Sequence, residues 1–351
     1  MALDVLIVSL GSTSGLRTAD EELRDSLTRA GADVELVSAA PPAEVRTLML
    51  TDLRWALAAR RAASAALART PARAVIYSST TAALLWPRPG AIRFDAPAAG
   101  NRPGRHGLWQ RPLERLRLRR APLLLPWSEG ALAELPGLGS TGLGRALVLP
   151  VPVEPSAPPR SSGEREIAAI TYAANPAKKG LDRVLEAWCR VRRDGEELVV
   201  AGADPRDLAR ARLALPEQGV RVTGMLPSDD YRALLRRTRV FVCAPRREDY
   251  GVAQLEALAD GCQLVSAPAP GPYVALPLAR ELDARLVSDD LGVALRAALD
   301  EPAADYRDCA LVLLESFRRE AADRVVAEEL LPRLLAGASG PAPSGPVPES
   351  L

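Results

Sequence analysis

The chain has 351 residues, of which 48% are hydrophobic and 25% are charged, and its net charge at neutral pH is +1. This length exceeds one ordinary core and predicts two domains, while the lack of a basic excess argues against nucleic-acid binding. The four cysteines, Cys189, Cys243, Cys262 and Cys309, show no C-x-x-C spacing and have apolar flanks. They predict buried thiols in a reducing compartment, and they argue against a disulfide framework or a zinc site.

The N-terminal apolar run, residues 3–10, follows no basic region and is too short for a signal peptide or a membrane span. It is interpreted as the first β-strand, and the protein is expected to be cytoplasmic. The next runs also lack polar alternation, which is typical of parallel strands covered on both faces. Strands are expected at 34–38, 74–78, 92–95, 123–127 and 146–150, and helices at 18–30 and 43–69.

Strand and helix alternate, which indicates right-handed βαβ units and a first Rossmann-like domain over residues 1–150. A Pro- and Ser-rich linker follows at 151–165. A second Rossmann-like domain spans 166–310, residues 311–335 form a terminal helix, and 336–351 are a disordered tail. Strands of the second domain are expected at 166–172, 197–201, 220–223, 240–244 and 263–266, and helices at 179–192, 206–213, 228–236, 252–259 and 291–299.

The first chemical motif is the segment Asn-Pro-Ala-Lys-Lys-Gly at 175–180, directly after a strand and opening a helix. Lys178 and Lys179 are the only lysines of the chain. Unpaired N–H groups at such a turn attract an anion, and a lysine adds a compact charge for a phosphate. Gly180 permits close backbone approach. The alternative is an ordinary basic helix start on the surface.

The second motif extends from Glu248 to Glu256 and follows the buried strand expected at 240–244. Glu248 is therefore expected at the carboxyl end of a strand, where open α/β sheets bind ligands. Gly251 opens a helix whose N–H groups can support a diphosphate, and Glu256 is expected to reach the same crevice and accept hydrogen bonds from a ribose diol. Taken alone, the two glutamates are better explained as surface residues that flank a helix.

Residues 166–270 resemble the C-terminal domain of group 1 retaining glycosyltransferases of the GT-B fold. The resemblance rests on four motifs in order: Lys179-Gly180, a strand ending at Gly202, Gly224 before a Pro-led helix, and Glu248 with Glu256 in a Glu-x7-Glu arrangement. It implies two facing Rossmann-like domains with an inter-domain cleft. It also implies that the helix at 311–335 crosses back to the N-terminal domain.

The resemblance assigns roles by position. Lys179 would bind the donor diphosphate and Glu248 the donor sugar, and these two are the candidate catalytic residues. Glu256 would bind the ribose, and no metal or other cofactor is expected beside a nucleotide-diphosphate sugar. The full set of candidate donor-binding residues is Lys178, Lys179, Gly180, Gly202, Gly251, Val252, Glu256 and Gly11, the last from a Gly-rich turn after the first strand.

Two departures from the family pattern affect these assignments. The family places an arginine five or six residues before the lysine, whereas this chain has Ala173 and Ala174 there. Either Lys178 supplies the missing charge or phosphate binding is weaker. The family histidine of the N-terminal domain corresponds to Phe94 or Asp95. Asp95 and the single histidine of the chain, His106, are therefore the candidates on the acceptor side.

The stretch 102–120 contains seven arginines and one glutamate. A solvated basic face is the simpler interpretation; the alternative is a surface for an anionic acceptor or for the inner face of the membrane. The sequence as a whole predicts a metal-independent, retaining glycosyltransferase, with a hexose as the transferred sugar and an unidentified acceptor. The alternatives are a non-catalytic nucleotide-sugar-binding partner subunit and an epimerase of the same fold.

Overall fold

The computed structural model of the protein describes residues 2–42, 47–102, 104–135, 137, 144–157 and 165–337. It divides into two compact units, described here one at a time. The first contains residues 1–126, 137–149 and 323–351, and the second contains 127–136 and 150–322. Within the described residues, no helix is both long and apolar enough to span a membrane.

The first unit is built on a parallel sheet of five strands in the order β2-β1-β3-β4-β5. Val5, Ile7 and Ile76 are fully buried in its core, because a parallel sheet is covered by helices on both faces. The strands are β1 Leu3–Ser9, β2 Val34–Ser38, β3 Ala72–Tyr77, β4 Ala91–Phe94 and β5 Leu124–Pro126. The α-helices that precede or follow these strands in the chain are Ser14–Arg29, Leu48–Arg69, Thr80–Ala83, Ala98–Asn101 and Gln110–Arg120.

The second unit contains another parallel sheet, with the order β10-β9-β6-β7-β8. Its strands are β6 Ile167–Tyr172, β7 Leu198–Ala201, β8 Val220–Gly224, β9 Thr238–Cys243 and β10 Gln263–Ser266. Its α-helices are Glu129–Ala133, Pro176–Lys179, Leu181–Val191, Pro205–Arg210, Ser228–Arg236, Val252–Ala259, Ala275–Leu282, Leu291–Asp300 and Tyr306–Leu313. The prediction of two α/β units with parallel sheets is confirmed.

The strand expected at 146–150 is reduced to a single bridge between Ala146 and Leu124. Leu147 N–H donates to Leu124 (2.9 Å) and Leu149 N–H donates to Pro126 (2.9 Å), so the segment does run beside β5. Pro126 has no N–H to return the next hydrogen bond, and the ladder is therefore incomplete.

Two segments of the chain pack differently from what the expected domains imply. Residues 127–136 group with the second unit although they follow β5, because Trp127 packs on Tyr250, with ring centroids 5.3 Å apart. Part of the expected linker is also anchored rather than free. Val151 and Val153 are buried, and Val153 N–H donates to Phe317 at 2.8 Å. Residues 158–164 of that linker lie outside the described residues.

The single terminal helix expected at 311–335 is interrupted. After Tyr306–Leu313 come the 3-10 turn Glu315–Phe317, the helix Arg319–Val325, a π-helical turn Val326–Leu330 and the helix Leu331–Gly337. Residues group with the first unit only from Asp323 onward. Asp323 accepts hydrogen bonds from Ser26 (2.5 Å) and Arg29 (2.8 Å).

The π-helical turn changes which side chains face the core, because it inserts an extra residue into the helical repeat. Val326, Leu330 and Leu334 are buried in the core of the first unit, whereas Val325 and Leu331 are only partly buried. The expected tail beyond Gly337 lies outside the described residues. The prediction of buried thiols holds for Cys243 and Cys262 and is wrong for Cys189 and Cys309, which are exposed.

Candidate active site

The candidate site lies where the strand order of the second sheet changes direction. From β6 the chain continues outward to β7 and β8, and from β9 it continues to β10 on the other side, so β6 and β9 are the two neighbours at the switch point. Ligands of open α/β sheets bind at the carboxyl ends of such strands. Lys178 and Lys179 follow β6, and Glu248 follows β9.

The connection after β6 is fixed by its own sequence. Asn175 caps the short helix Pro176–Lys179 by accepting from Lys178 N–H at 3.0 Å. Gly180 ends that helix with φ +64°, and a Cβ there would lie 1.9 Å from the carbonyl oxygen of Ala244. The turn after β6 thus touches the chain leaving β9, and this contact requires glycine.

This close approach brings the basic and acidic motifs together. The Lys179 ammonium lies 2.6 Å from Oε2 of Glu248, whose side chain is 6% exposed while that of Lys179 is 23% exposed. Gln254 donates to the same carboxylate oxygen at 3.0 Å. Glu248 is thus held by one charged and one neutral donor, and the lysine remains partly accessible.

A second ion pair lies beside the first. The Lys178 ammonium is 2.7 Å from Oδ2 of Asp249, and Arg247 donates to Oδ1 of the same carboxylate at 2.9 Å. Arg247 also binds Glu134 at 2.6 Å. Lys178, one of the two alternatives for the missing arginine charge, therefore has its own charge balanced by Asp249. Negative and positive side chains thus alternate along a row of three ion pairs, formed by Glu134, Arg247, Asp249 and Lys178.

Gly251 begins the helix Val252–Ala259 with φ +97°, and a Cβ there would lie 3.0 Å from the ring of Tyr273. Gly251 has no side chain that could cap the helix. Val252 is half-buried at this helix start. Both residues therefore lie where the sequence predicted donor phosphates to bind.

Glu256 lies one turn further along the same helix and makes a different contact. Its carboxylate is 3.6 Å from Nη1 of Arg232. Within the described part of the chain, Glu256 forms no hydrogen bond or ion pair with Lys179 or Glu248. Burial raises the pKa of Glu256 to about 7, against the opposing effect of Arg232; Asp260 raises it further. Arg232 is itself bound to Asp260 at 2.5 Å.

Gly202 ends β7 with φ +84°, and its N–H donates to Gly224 at 2.8 Å. A Cβ on Gly202 would lie 2.7 Å from the ring of Tyr172, the last residue of β6. That tyrosine ring lies 5.4 Å from the ring of Tyr231. Gly202 is thus needed for close packing at the carboxyl edge of the same sheet.

The remaining candidates belong to the first unit. Gly11 follows β1 with φ +58°, and its carbonyl accepts from Arg17 at 2.8 Å. Asp95 follows β4 and accepts from the N–H of Ala96 at 2.8 Å. His106 belongs to the 3-10 turn Gly104–Gly107, and its side chain lies outside the described part of the chain.

The basic stretch 102–120 is divided between structural and exposed arginines. Arg102 binds Asp52 through two hydrogen bonds of 2.7 and 2.9 Å, and Arg117 lies over the ring of Trp86 at 4.9 Å. Four others are exposed, and their side chains form no hydrogen bond or ion pair with the described residues. They are Arg105, Arg115, Arg119 and Arg120.

Sequence reasoning missed Gln254, Asp249, Arg247, Glu134 and Arg232. A usable signal existed for Gln254, because it is a polar residue inside the otherwise apolar run Val-Ala-Gln-Leu, and buried amides need partners. For Glu134 and Arg232 there was no such signal, because both lie far from the motifs in the sequence.

Residues 166–305 match the family described as glycosyl transferases group 1. This range contains both lysines and both glutamates of the site. Among curated proteins, no sequence matches this chain.

Solved structures resemble the chain over nearly its whole length. WaaG, a glycosyltransferase involved in lipopolysaccharide biosynthesis, is 15% identical, with a TM-score of 0.66 over 97% of this chain and 100% of its own. HepE of Anabaena, solved with UDP and glucose, is 13% identical, with a TM-score of 0.66 over 93% and 99%. Sucrose-phosphate synthase of Thermosynechococcus elongatus is 16% identical, with a TM-score of 0.65 over 97% and 100%. At these identities the likeness concerns the fold, which is GT-B.

Proposed function

We propose that the protein is a retaining glycosyltransferase that uses a nucleotide-diphosphate sugar as donor. The observation that carries the proposal is the pairing of Lys179 with Glu248 at the switch point of the second sheet, 2.6 Å apart. A cation and a buried carboxylate at this point meet the two needs of the reaction. Lys179 neutralises the departing diphosphate, and Glu248 binds the sugar that becomes cationic.

The donor has to compete for the two lysines. The ammonium groups of Lys178 and Lys179 are bound to Asp249 and Glu248 at 2.7 and 2.6 Å. A diphosphate that binds the lysines replaces a carboxylate contact by a phosphate contact, so each ammonium group keeps an anionic partner. The exchange also releases the Glu248 carboxylate toward the sugar. Phosphate binding is completed by the N–H groups of the helix that Gly251 and Val252 begin.

Glu256 would bind the ribose of the donor, as its place in the Glu-x7-Glu stretch implies. In this proposal no metal ion is needed, because Lys179 and the helix N-terminus supply the positive charge. Retention follows the family mechanism, in which the acceptor attacks the face that the diphosphate leaves and a donor phosphate oxygen assists its deprotonation. HepE, which shares the fold, was solved with UDP and glucose, in agreement with a sugar nucleotide of this class and a hexose as the transferred group.

We also propose that the first unit binds the acceptor, with Asp95 and His106 as candidate contacts. Arg105, Arg115, Arg119 and Arg120 are exposed, which favours an anionic acceptor. Leu108 and Leu116 are exposed beside them, at 64% and 38%. An acceptor with an apolar part next to its anionic group would match this surface.

The first test is a thermal-shift screen against UDP, GDP and ADP. The nucleotide that binds the native state raises the melting temperature by mass action, and it identifies the donor base. Hydrolysis of sugar nucleotides with that base then measures turnover. Glu248→Gln should reduce turnover by about 100-fold or more if its contact strengthens in the transition state. It should leave diphosphate affinity equal or higher, because the carboxylate that competes for Lys179 has lost its charge.

A second candidate is a non-catalytic partner subunit that binds a nucleotide sugar. It is favoured by Ala173 and Ala174 at the place of the family arginine and by the neutralisation of Lys178 by Asp249. Donor hydrolysis separates the two candidates. A protein that binds the nucleotide tightly, but hydrolyses no sugar nucleotide of that base and does not respond to Glu248→Gln, would support the partner subunit.

A further inference from the structure

The segment between β5 and Gly137 lies far from the glutamate motif in the sequence, yet it belongs to the second unit. It contains the short helix Glu129–Ala133. Three of its residues contact the loops that follow β9 and β10. This segment, residues 127–135, is called the strap below.

The three contacts differ in kind. The Trp127 ring meets the ring of Tyr250 edge-on, with centroids 5.3 Å apart and an interplanar angle of 87°. Gly130 lies so close to Pro272 that an added Cβ would be 2.9 Å from the proline Cβ. Glu134 forms an ion pair of 2.6 Å with Arg247. The strap thus touches residues on either side of Glu248 in the sequence.

The loop that carries Glu248 is also held by backbone contacts with the residues that follow β10. Glu248 N–H donates to Pro270 at 3.1 Å, and Val274 N–H donates to Tyr250 at 3.1 Å. A Cβ on Gly271 would lie 2.2 Å from the carbonyl oxygen of Glu248, so glycine is required there. The backbone of the loop is therefore held by the residues that follow β10. The strap contacts the charged side chains of the loop instead, through the ion pair of Glu134 with Arg247.

The charges give Glu134 a specific role. Arg247 is 18% exposed and divides its donors between Glu134 and Asp249, while Lys178 also binds Asp249. If Glu134 lost its charge, the Arg247 guanidinium would have Asp249 as its only ionic partner among these residues. It would then compete with Lys178 for that carboxylate. The neighbouring pair of Lys179 and Glu248 is carried by the same two short backbone segments. Lys179 follows Lys178 directly, and Glu248 lies between Arg247 and Asp249.

We propose that Glu134 is a positioning residue for the reaction: it fixes Arg247, and through Arg247 and Asp249 it holds Lys178 and the Glu248 loop in register. The inference rests on the proposed function, because it assumes that Glu248 contacts the donor sugar. It adds a residue outside the group 1 match at 166–305 to the machinery of the donor site.

The test compares Glu134→Gln with Glu129→Gln. Glu129 is exposed on the same short helix and has no described ionic partner, so its replacement controls for loss of a negative charge on the strap. The substrate is a sugar nucleotide with the base selected by the thermal-shift screen. For Glu134→Gln, kcat of donor hydrolysis should fall about ten-fold, since small displacements of a catalytic group are costly. The donor KM and the Kd of the nucleoside diphosphate should change less than about two-fold, and Glu129→Gln should match the wild type in all three.

Two further measurements separate positioning from simple stability. Hydrogen exchange of the peptide covering residues 246–251 should be faster in Glu134→Gln than in Glu129→Gln, whether or not a donor is present. In an Arg247→Met background, adding Glu134→Gln should cause no further loss of kcat, because its effect passes through Arg247.

The outcomes distinguish this inference from the proposed function. If Lys179→Ala weakens diphosphate binding and Glu248→Gln loses turnover, but Glu134→Gln equals Glu129→Gln in kcat and exchange, the strap inference is overturned and the proposed function stands. A lower melting temperature of Glu134→Gln with unchanged kcat and unchanged exchange would likewise overturn it. If Lys179→Ala leaves diphosphate binding intact, the proposed function itself fails.

Discussion

Each unit contains an ion pair near the carboxyl end of its first strand, and the two pairs differ in burial. In the first unit Asp20 binds Arg93 at 3.1 Å and accepts from Ser9 at 2.5 Å, and both charged side chains are 1% exposed. In the second unit Glu248 is equally well bound by Lys179 and Gln254, but the lysine is 23% exposed. The closed pair cannot exchange partners, whereas the open pair can accept a ligand anion. Accessibility of the cation therefore separates the structural pair of the first unit from the proposed binding site of the second.

The pKa of Asp20 reflects the deep burial of the pair in the first unit. Burial raises the pKa of Asp20, although Arg93, Ser9 and Ser78 all act to lower it. A carboxylate in that situation depends on its partners to remain charged. The Asp20–Arg93 pair therefore has to be kept intact for the first unit to stay folded. Its loss should affect stability rather than catalysis.

The largest effect is expected for Asp20→Ala. This change removes the carboxylate that pairs with Arg93 inside a buried ion pair, and the free energy of unfolding should fall by about 3–5 kcal/mol. Denaturant unfolding measures this loss. Lys179→Ala should cost clearly less by the same measurement, because the lysine is partly exposed and Gln254 still donates to the buried Glu248 carboxylate. Equal losses in the two variants would remove the distinction between closed and open pairs.

The core of the first unit offers a second stability test. Leu330 is fully buried and packs there, whereas Leu331 is partly buried. Leu330→Ala should lower the free energy of unfolding by about 2–5 kcal/mol, as for other buried leucines, and Leu331→Ala should cost clearly less. The reverse order would mean that the helical phase set by the π-helical turn is wrong.

Lys179→Ala should weaken binding of the nucleoside diphosphate by about 1.5–3 kcal/mol, the range of a charge-assisted hydrogen bond. Calorimetric titration with the diphosphate and with the corresponding nucleoside provides the comparison. The nucleoside affinity should hardly change, because the lysine is proposed to contact only phosphate. A parallel loss for both ligands would place Lys179 away from the phosphates.

Glu256 gives a pH-dependent test. Its pKa is raised by burial to about 7, so the folded protein holds a proton between its ordinary pKa and that value while the unfolded chain does not. Stability contributed by Glu256 therefore falls as pH rises from about 4.5 to 7, by on the order of 3 kcal/mol or less. Unfolding of the wild type and of Glu256→Gln across this pH range isolates the contribution. A difference between them that does not vary with pH would contradict the shift.

The same titration affects donor binding. Above pH 7 the carboxylate of Glu256 is charged and accepts ribose hydrogen bonds more strongly, so the donor KM should decrease as pH rises through 7. Glu256→Ala should raise that KM by the equivalent of about 1–3 kcal/mol and remove the pH dependence. If Glu256→Ala and Glu248→Ala altered KM and kcat in the same proportions, the two glutamates would not have separate roles.

The smallest effect is expected from deleting residues 338–351, which are rich in Pro, Gly and Ser. This deletion should change the melting temperature by almost nothing. Deleting residues 323–351 should instead destabilise the first unit, because it removes Val326, Leu330 and Leu334 from its core. Thermal unfolding of the two truncations compares them directly, and similar melting temperatures would show that this core contact is unimportant.

Local patterns in the amino-acid sequence were enough to predict the repeating strand–helix pattern and the two parallel sheets. They also placed Lys178, Lys179, Glu248 and Glu256 in loops and helices after strands. These features are local: a run of buried apolar residues, a capping Asn175 or a glycine at positive φ acts on its immediate neighbours. For that reason the ends of β2 and β10 were predicted to the residue.

Only the tertiary structure decided which charges meet. Glu134 and Arg247 are 113 positions apart, and Arg232 and Asp260 are 28 apart, so no periodicity in the chain relates them. The same holds for the placement of residues 127–136 with the second unit and for the phase of the terminal helices. Ion pairs form wherever the folded backbone brings charged groups together, and an arginine-rich chain offers each carboxylate many possible partners. The choice among them depends on distances that exist only after the sheets have formed.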